Sequence, residues 1–153
     1  HITYLKGEIR ALEQEIAEQA EELHDDRVAQ LMQVKGIGLV TAAKLVALLP
    51  ELGQVSRQEI AALVGVAPFN DDSGKHSGKR SIWGGRSRVR RALYMACWVV
   101  IRHNEDFNER YSALRAQGKL AKVAVVACMR VLIVRLNAML KAGTPWREQV
   151  LQP

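Results

Sequence analysis

The sequence predicts an all-α protein: an N-terminal coiled-coil helix, then a helical domain that contains a helix-hairpin-helix and a loop rich in glycine and arginine. Three observations predict it. Apolar residues recur at steps of three and four over most of the chain, and Gly and Pro stand where those runs end. No alternating pattern longer than four residues survives, apart from a short hairpin expected around Ser81 to Trp83. With 153 residues and 48% apolar content, the chain can build one ordinary core and not two large ones.

In the first segment apolar residues fall at Ile2, Leu5, Ile9, Leu12, Ile16 and Leu23, with Gln19 in the remaining place. Ile at one core position and Leu at the other favour a two-stranded parallel coiled coil. The plainer alternative is an amphipathic helix folded back on its own domain. The chain starts with His1, already in helical phase, as a fragment of a longer protein would.

The stretch "VAQLMQVKGIGLVTAAKLVALLPELG" predicts a helix over about Val28 to Val34 and a second over about Leu39 to Leu49, ended by Pro50 and Gly53. The turn of Gly36, Ile37 and Gly38 between them has the form of a helix-hairpin-helix. Glycines there let backbone approach a phosphate, and free N–H groups at the start of the second helix point at the anion. A plain helical hairpin packed tightly through glycine is the alternative. Ser56 and Glu59 form a capping box that opens a helix over Arg57 to Val64. Beyond the loop come an almost wholly apolar helix over Ala92 to Ile101, one over about Glu105 to Gln117, and a last one over about Leu120 to Lys141, stopped by Gly143 and Pro145.

The net charge of +6 is unevenly spread: residues 1–30 hold three basic and eight acidic side chains, and residues 71–91 hold seven basic and two acidic. A basic cluster among glycines is a footprint of nucleic acid. No run approaches the roughly 20 uncharged residues of a membrane span, and no signal peptide precedes the first helix, so the expected location is cytoplasmic and no membrane partner is expected. Cys97 and Cys128 lie within apolar helical patterns, as small buried hydrophobes do. No Asp, Glu, His or Cys cluster has metal-ligand spacing.

The segment "GVAPFNDDSGKHSGKRSIWGGRSRVRR" concentrates the chemistry. Ser73 stands among Lys75, Lys79 and Arg80, with Arg86, Arg88, Arg90 and Arg91 leading into the next helix. A serine in that field could attack phosphorus, because cations would stabilise both its alkoxide and a pentavalent transition state. On chemistry alone the plainer reading, a turn residue or a phosphate donor, is the favoured one.

The ordered blocks "GIGLVTAAKLVALLPELG", "IAALVGVAPFNDDSGKHSGKRSIWGGRSRVRRALYMA", "RHNEDF", "KVAVVACMR" and "LNAMLKAGTPW" resemble the C-terminal domain of the IS110 family of insertion-sequence recombinases, over roughly residues 28 to 147. The resemblance implies a DNA recombinase whose N-terminal RuvC-like domain, absent here, carries an acidic tetrad for a divalent metal (Mg). It also implies a catalytic serine in an "APxxxxSG" block, which "APFNDDSG" matches at Ser73, and DNA strand exchange directed by a guide RNA. The chain departs from the family pattern at His76 and Ser77, where an aromatic and a basic residue are usual. Ser77 thereby repeats an "SGK" context, but only Ser73 follows Ala67 and Pro68 at the expected distance. His76 is read as a solvated loop residue, with a base or a phosphate contact as the alternatives.

The resulting expectation is a dimerisation arm over residues 1–27 and a helical transposase domain over 28–153, with no cofactor of its own. Ser73 is the expected nucleophile. Gly36, Gly38, Lys75, Lys79, Arg80, Arg86, Arg88, Arg90 and Arg91 are the expected nucleic-acid contacts. Partners are DNA, guide RNA and a second copy through the arm, with tetramer formation on DNA left open. The rival reading is a non-catalytic nucleic-acid-binding and oligomerisation module.

Overall fold

A computed structural model describes residues 1–22, 26–69, 72–73, 76–77, 81–82 and 84–147. These residues form seven helices: α1 (Ile2–Glu22), α2 (Asp26–Met32), α3 (Leu39–Leu48), α4 (Arg57–Val64), α5 (Ser87–His103), α6 (Glu105–Ala116) and α7 (Ala121–Ala142). Between α4 and α5 lie four two-residue strands: β1 (Pro68–Phe69), β2 (Asp72–Ser73), β3 (His76–Ser77) and β4 (Ser81–Ile82). The expected all-α class therefore holds, but the short hairpin expected around Ser81 to Trp83 is replaced by a longer pairing, because Ser81–Ile82 find their partners at Pro68–Phe69. It reaches back to Pro68, while Trp83 lies outside the described residues.

Helix α5 is the centre of the body and packs against α3, α4, α6 and α7. Its Val89, Leu93, Ala96, Cys97 and Val100 are buried, meeting Leu45 of α3, Val64 of α4, Phe107 of α6 and Leu132 of α7 in one core. Each such Leu or Val contributes about 1.5–3 kcal/mol over leaving it in water. Trp98 stands edge-on to both Tyr94 and Tyr111, with centroids 6.3 and 5.6 Å away, and so closes the α5–α6 seam.

One expectation needs correction. The helix read as wholly apolar over Ala92 to Ile101 starts at Ser87 and is amphipathic. Arginine is a good helix former, so the basic run continues the helix instead of preceding it. A period of 3.6 then turns Arg88, Arg91, Met95, Val99 and Arg102 to the outside, all of them exposed.

Two polar pins fix the elements around the loop. Asn137 of α7 is buried; its Oδ1 accepts from the Gly53 N–H at 2.8 Å and its Nδ2 donates to the Val55 carbonyl at 2.9 Å. That holds the turn preceding α4. The expected capping box then starts α4, with the Ser56 N–H on the Glu59 carboxylate at 2.8 Å and the Glu59 N–H on Ser56 Oγ at 3.2 Å.

Helix α1 packs against α3, and Ile16 and Ala17 are half-buried there. Ile2, Leu5, Ile9 and Leu12, the rest of its seam before Gln19, are exposed. Helix α7 is long and apolar enough by composition to cross a membrane, yet half of it is buried in the body, as a core helix would be.

Candidate nucleic-acid interface and the foot of the serine hairpin

The serine segment leaves the helical body at Gly65 and returns at Gly85, and these two residues touch. Helix α4 ends with Gly65 in the left-handed region at φ 77°, its N–H on the Ala61 carbonyl at 3.0 Å, and Val66 N–H returns to the same carbonyl. Gly85 has φ 71°. A Cβ on Gly85 would overlap the Gly65 backbone, and one on Gly65 would overlap the Gly84 carbonyl and the Arg90 guanidinium. Only two glycines allow the ends of the segment to close this tightly.

Two arginines lock that closure. The Arg86 N–H donates to the Leu63 carbonyl at 2.9 Å. The Arg86 guanidinium donates Nη1 to Glu51 Oε2 at 2.6 Å and Nη2 to Glu51 Oε1 at 2.5 Å, and Nη1 also reaches the Leu48 carbonyl at 3.1 Å. Arg90 Nη1 bridges the Gly84 carbonyl at 2.7 Å and the Val64 carbonyl at 3.1 Å, one from each limb. The fork of Arg86 on Glu51 holds that carboxyl down at a pKa of about 2, chiefly through the hydrogen bond. A depressed carboxyl stabilises the fold above its unfolded pKa and loses that contribution only as pH falls toward about 2. The clamp therefore does not titrate near neutrality.

From this foot the backbone rises as a hairpin. Pro68 pairs with Ile82 and Phe69 with Ser81, then Asp72 with Ser77 and Ser73 with His76, all antiparallel. The register places Ser73 and His76 on either side of a two-residue connection, Gly74 and Lys75, so Ser73 sits next to the tip. Gly74, Lys75, Lys79 and Arg80 lie outside the described residues, and for Ser73, His76 and Ser77 only the backbone is described.

The expected nucleic-acid contacts divide. Arg86 and Arg90 are engaged inside the foot, whereas Arg88 and Arg91 face outward on the stripe that continues through Met95 and Val99 to Arg102. From Arg88 to Arg102 the stripe runs about 21 Å along α5. Its far end meets the α2–α3 turn. A Cβ on Gly36, which has φ 111°, would come within 2.9 Å of the Val100 backbone nitrogen and Cγ2, so glycine there serves close packing on α5. Gly38 is different: it is the exposed, extended N-cap of α3, makes no side-chain cap, and has open space where a Cβ would point. Half of the 22 Lys and Arg and none of the 16 Asp and Glu fall within residues 27–50 and 73–104, which carry both features. Lys35 and Arg102, both exposed, were missed on the sequence; these acid-free intervals are the signal that could have found them. The open groove beside the foot, lined by Glu51, Val55, Glu59, Ala62, Leu63, Gly85 and Arg86, suits phosphate poorly, because it holds two carboxylates and its one arginine is already paired with Glu51.

The other chemical candidates recede. Burial pushes the Cys128 thiol up to about 11 and Cys97 higher still, so neither is a thiolate near neutrality. Among the described residues no group of three His, Cys, Asp or Glu could hold a metal ion. The "RHNEDF" block is structural: Asn104 Oδ1 caps α6 by accepting from the Phe107 N–H at 3.2 Å, and buried Asp106 pairs with Arg135 of α7, whose guanidinium lies 5.1 Å from the centre of the Phe107 ring.

Residues 28–112, which span the α2–α3 hairpin, the foot, the serine hairpin, α5 and the start of α6, match the family described as "Transposase IS116/IS110/IS902 family". The chain is 28% identical over 122 residues to the "Insertion element IS110 uncharacterized 43.6 kDa protein" of Streptomyces coelicolor, covering 78% of this chain and 30% of that protein. It is 26% identical over 128 residues to the "Pilin gene-inverting protein" of Moraxella lacunata, covering 81% of this chain and 40% of that one. The chain thus spans less than half the length of either curated relative.

Proposed function

Because the chain belongs to the IS116/IS110/IS902 family of transposases, we propose that it serves DNA transposition or inversion by holding a DNA phosphodiester and presenting Ser73 to it. In the proposed step Ser73 Oγ attacks phosphorus, its proton leaves with the departing deoxyribose oxygen, and one P–O ester is exchanged for a phosphoserine ester. A hydroxyl of a second strand reverses the exchange, which conserves the bond for rejoining. The observation that carries this reading is the position of Ser73 beside the tip of a hairpin whose foot adjoins the outward arginines of α5. Guidance by an RNA of the element, a divalent metal held by a RuvC-like domain and a cytoplasmic site of action belong to the same proposal through the family resemblance. The test is a denaturing gel of the full-length protein with RNA and labelled DNA. A covalent protein–DNA band supports the nucleophile; tight binding with no band supports the rival, a non-catalytic module.

The outward stripe carries its own test. Each arginine that neutralises a phosphate releases condensed counterions, so Arg88→Ala with Arg91→Ala should weaken duplex binding and reduce the salt slope by about one unit for each phosphate no longer neutralised. Sequence preference should stay. An unchanged slope would remove these two arginines from the interface.

The arm is proposed to dimerise through its exposed seam, Ile2, Leu5, Ile9 and Leu12. Replacing Ile9 and Leu12 by Lys buries charge in such a seam, and light scattering should show dimer giving way to monomer. A wild-type chain that is monomeric at concentrations on the order of tens of micromolar would rule the dimer out.

A further inference from the structure

Arg86 and Arg90 stand within the most basic run of the chain, but their guanidinium groups point at the protein. We propose that they are positioning residues that hold the serine hairpin at a fixed angle to the α5 stripe, and that they do not contact nucleic acid. The inference rests on the reading of Ser73 as nucleophile for its catalytic consequence, and on hydrogen bonds alone for the clamp itself.

The geometry shows what needs holding. Eight residues separate Gly65 from Ser73, a length of chain that at about 3.3 Å per residue spans at most about 26 Å. At that full span a pivot of about 2° at the foot moves the tip by about 1 Å, a misplacement that can cost about 100-fold in rate. The described strand pairs are only two residues long each, and a two-stranded pairing of that length needs support from the body it rises from. The foot must supply it, and Arg90 bridges the two limbs directly, through the carbonyls of Val64 and Gly84. Arg86 fixes the returning limb to a third element, the Leu48–Glu51 turn. That turn is adjacent to Gly53, which Asn137 binds, so the foot is referenced to α7. Lysine could not replace Arg86 fully, since one ammonium lacks the planar fork that Glu51 receives.

Three readouts separate positioning from direct binding. Arg90→Gln should keep the wild-type affinity for a DNA duplex within about threefold and keep the salt slope, because no counterion is displaced. In the full-length protein it should lower the rate of covalent adduct formation at saturating DNA by at least about 30-fold. Amide exchange at residues 84–86 should speed up in the chain alone, with no DNA present. For Arg86, reversing the pair as Arg86→Glu with Glu51→Arg should restore adduct formation above either single change. Should Arg90→Gln lose its cooperative melt, Arg90→Lys and the reversed pair decide instead, with partial rescue expected from both. A slope that falls by about one unit for Arg90→Gln would overturn the proposal by making it a phosphate ligand. A wild-type adduct rate despite faster exchange would overturn it too, since the clamp would then position nothing. If Ser73→Ala still forms adduct, the nucleophile fails, while exchange and slope still test the clamp.

Discussion

Ser73→Ala in the full-length protein should lower covalent adduct formation by at least about 10³-fold while binding DNA nearly as the wild type does. The change deletes the attacking atom and leaves the cations that hold the phosphate. Ser77→Ala should still cleave, because only Ser73 follows Ala67 and Pro68 at the family spacing, and the register sets Ser77 one residue farther from the tip, opposite Asp72. Ser73→Cys should also be strongly impaired, as sulfur is a poor match for phosphorus and for a site shaped around oxygen. Adduct from Ser73→Ala but not from Ser77→Ala would shift the nucleophile by one "SGK" unit. Cleavage unaffected by either change would move the chemistry out of this hairpin.

Asp106→Ala should cost about 3 kcal/mol of stability, because it leaves the Arg135 guanidinium largely buried without its partner. The side chains of Asp106 and Arg135 are only 5% and 18% exposed, so water cannot fully take the place of the carboxylate. For a chain of this length that lowers the thermal midpoint by roughly 6–12 °C. Asp106→Asn should cost less, since an amide oxygen still accepts from Arg135. The double change Asp106→Leu with Arg135→Met should recover most of that stability by removing both charges from the core. A midpoint for Asp106→Ala within about 2 °C of wild type would show that the pair does not hold α6 to α7. Neither residue lies in the proposed site, so the salt slope of DNA binding should not move.

Much of the body is legible in the sequence because helices declare themselves locally. The capping box of Ser56 and Glu59, the stop at Gly143 and Pro145, and the ends of α3 and α4 all rest on relations within a few residues. The start of α5 is hidden for a related reason. A run of arginines has no apolar period to mark it, and only Val89 beneath it shows that the helix has already begun. Once that start is known, the period separates Arg88 and Arg91 from Arg90.

Local relations along the chain suffice for the helices, apart from the start of α5, and for the family block around Ser73, since propensity, capping and spacing act over three or four positions. Packing settles where α5 begins and which partners close the foot. Arg86 finds Glu51 from 35 residues away, and Asn137 finds Gly53 from 84. Gly36 is a packing residue because α5 happens to cross there, and Gly65 and Gly85 are a pair because the segment between them leaves and re-enters at one point. Such partners are set by how the helices pack around α5, and no periodicity within a single segment encodes them.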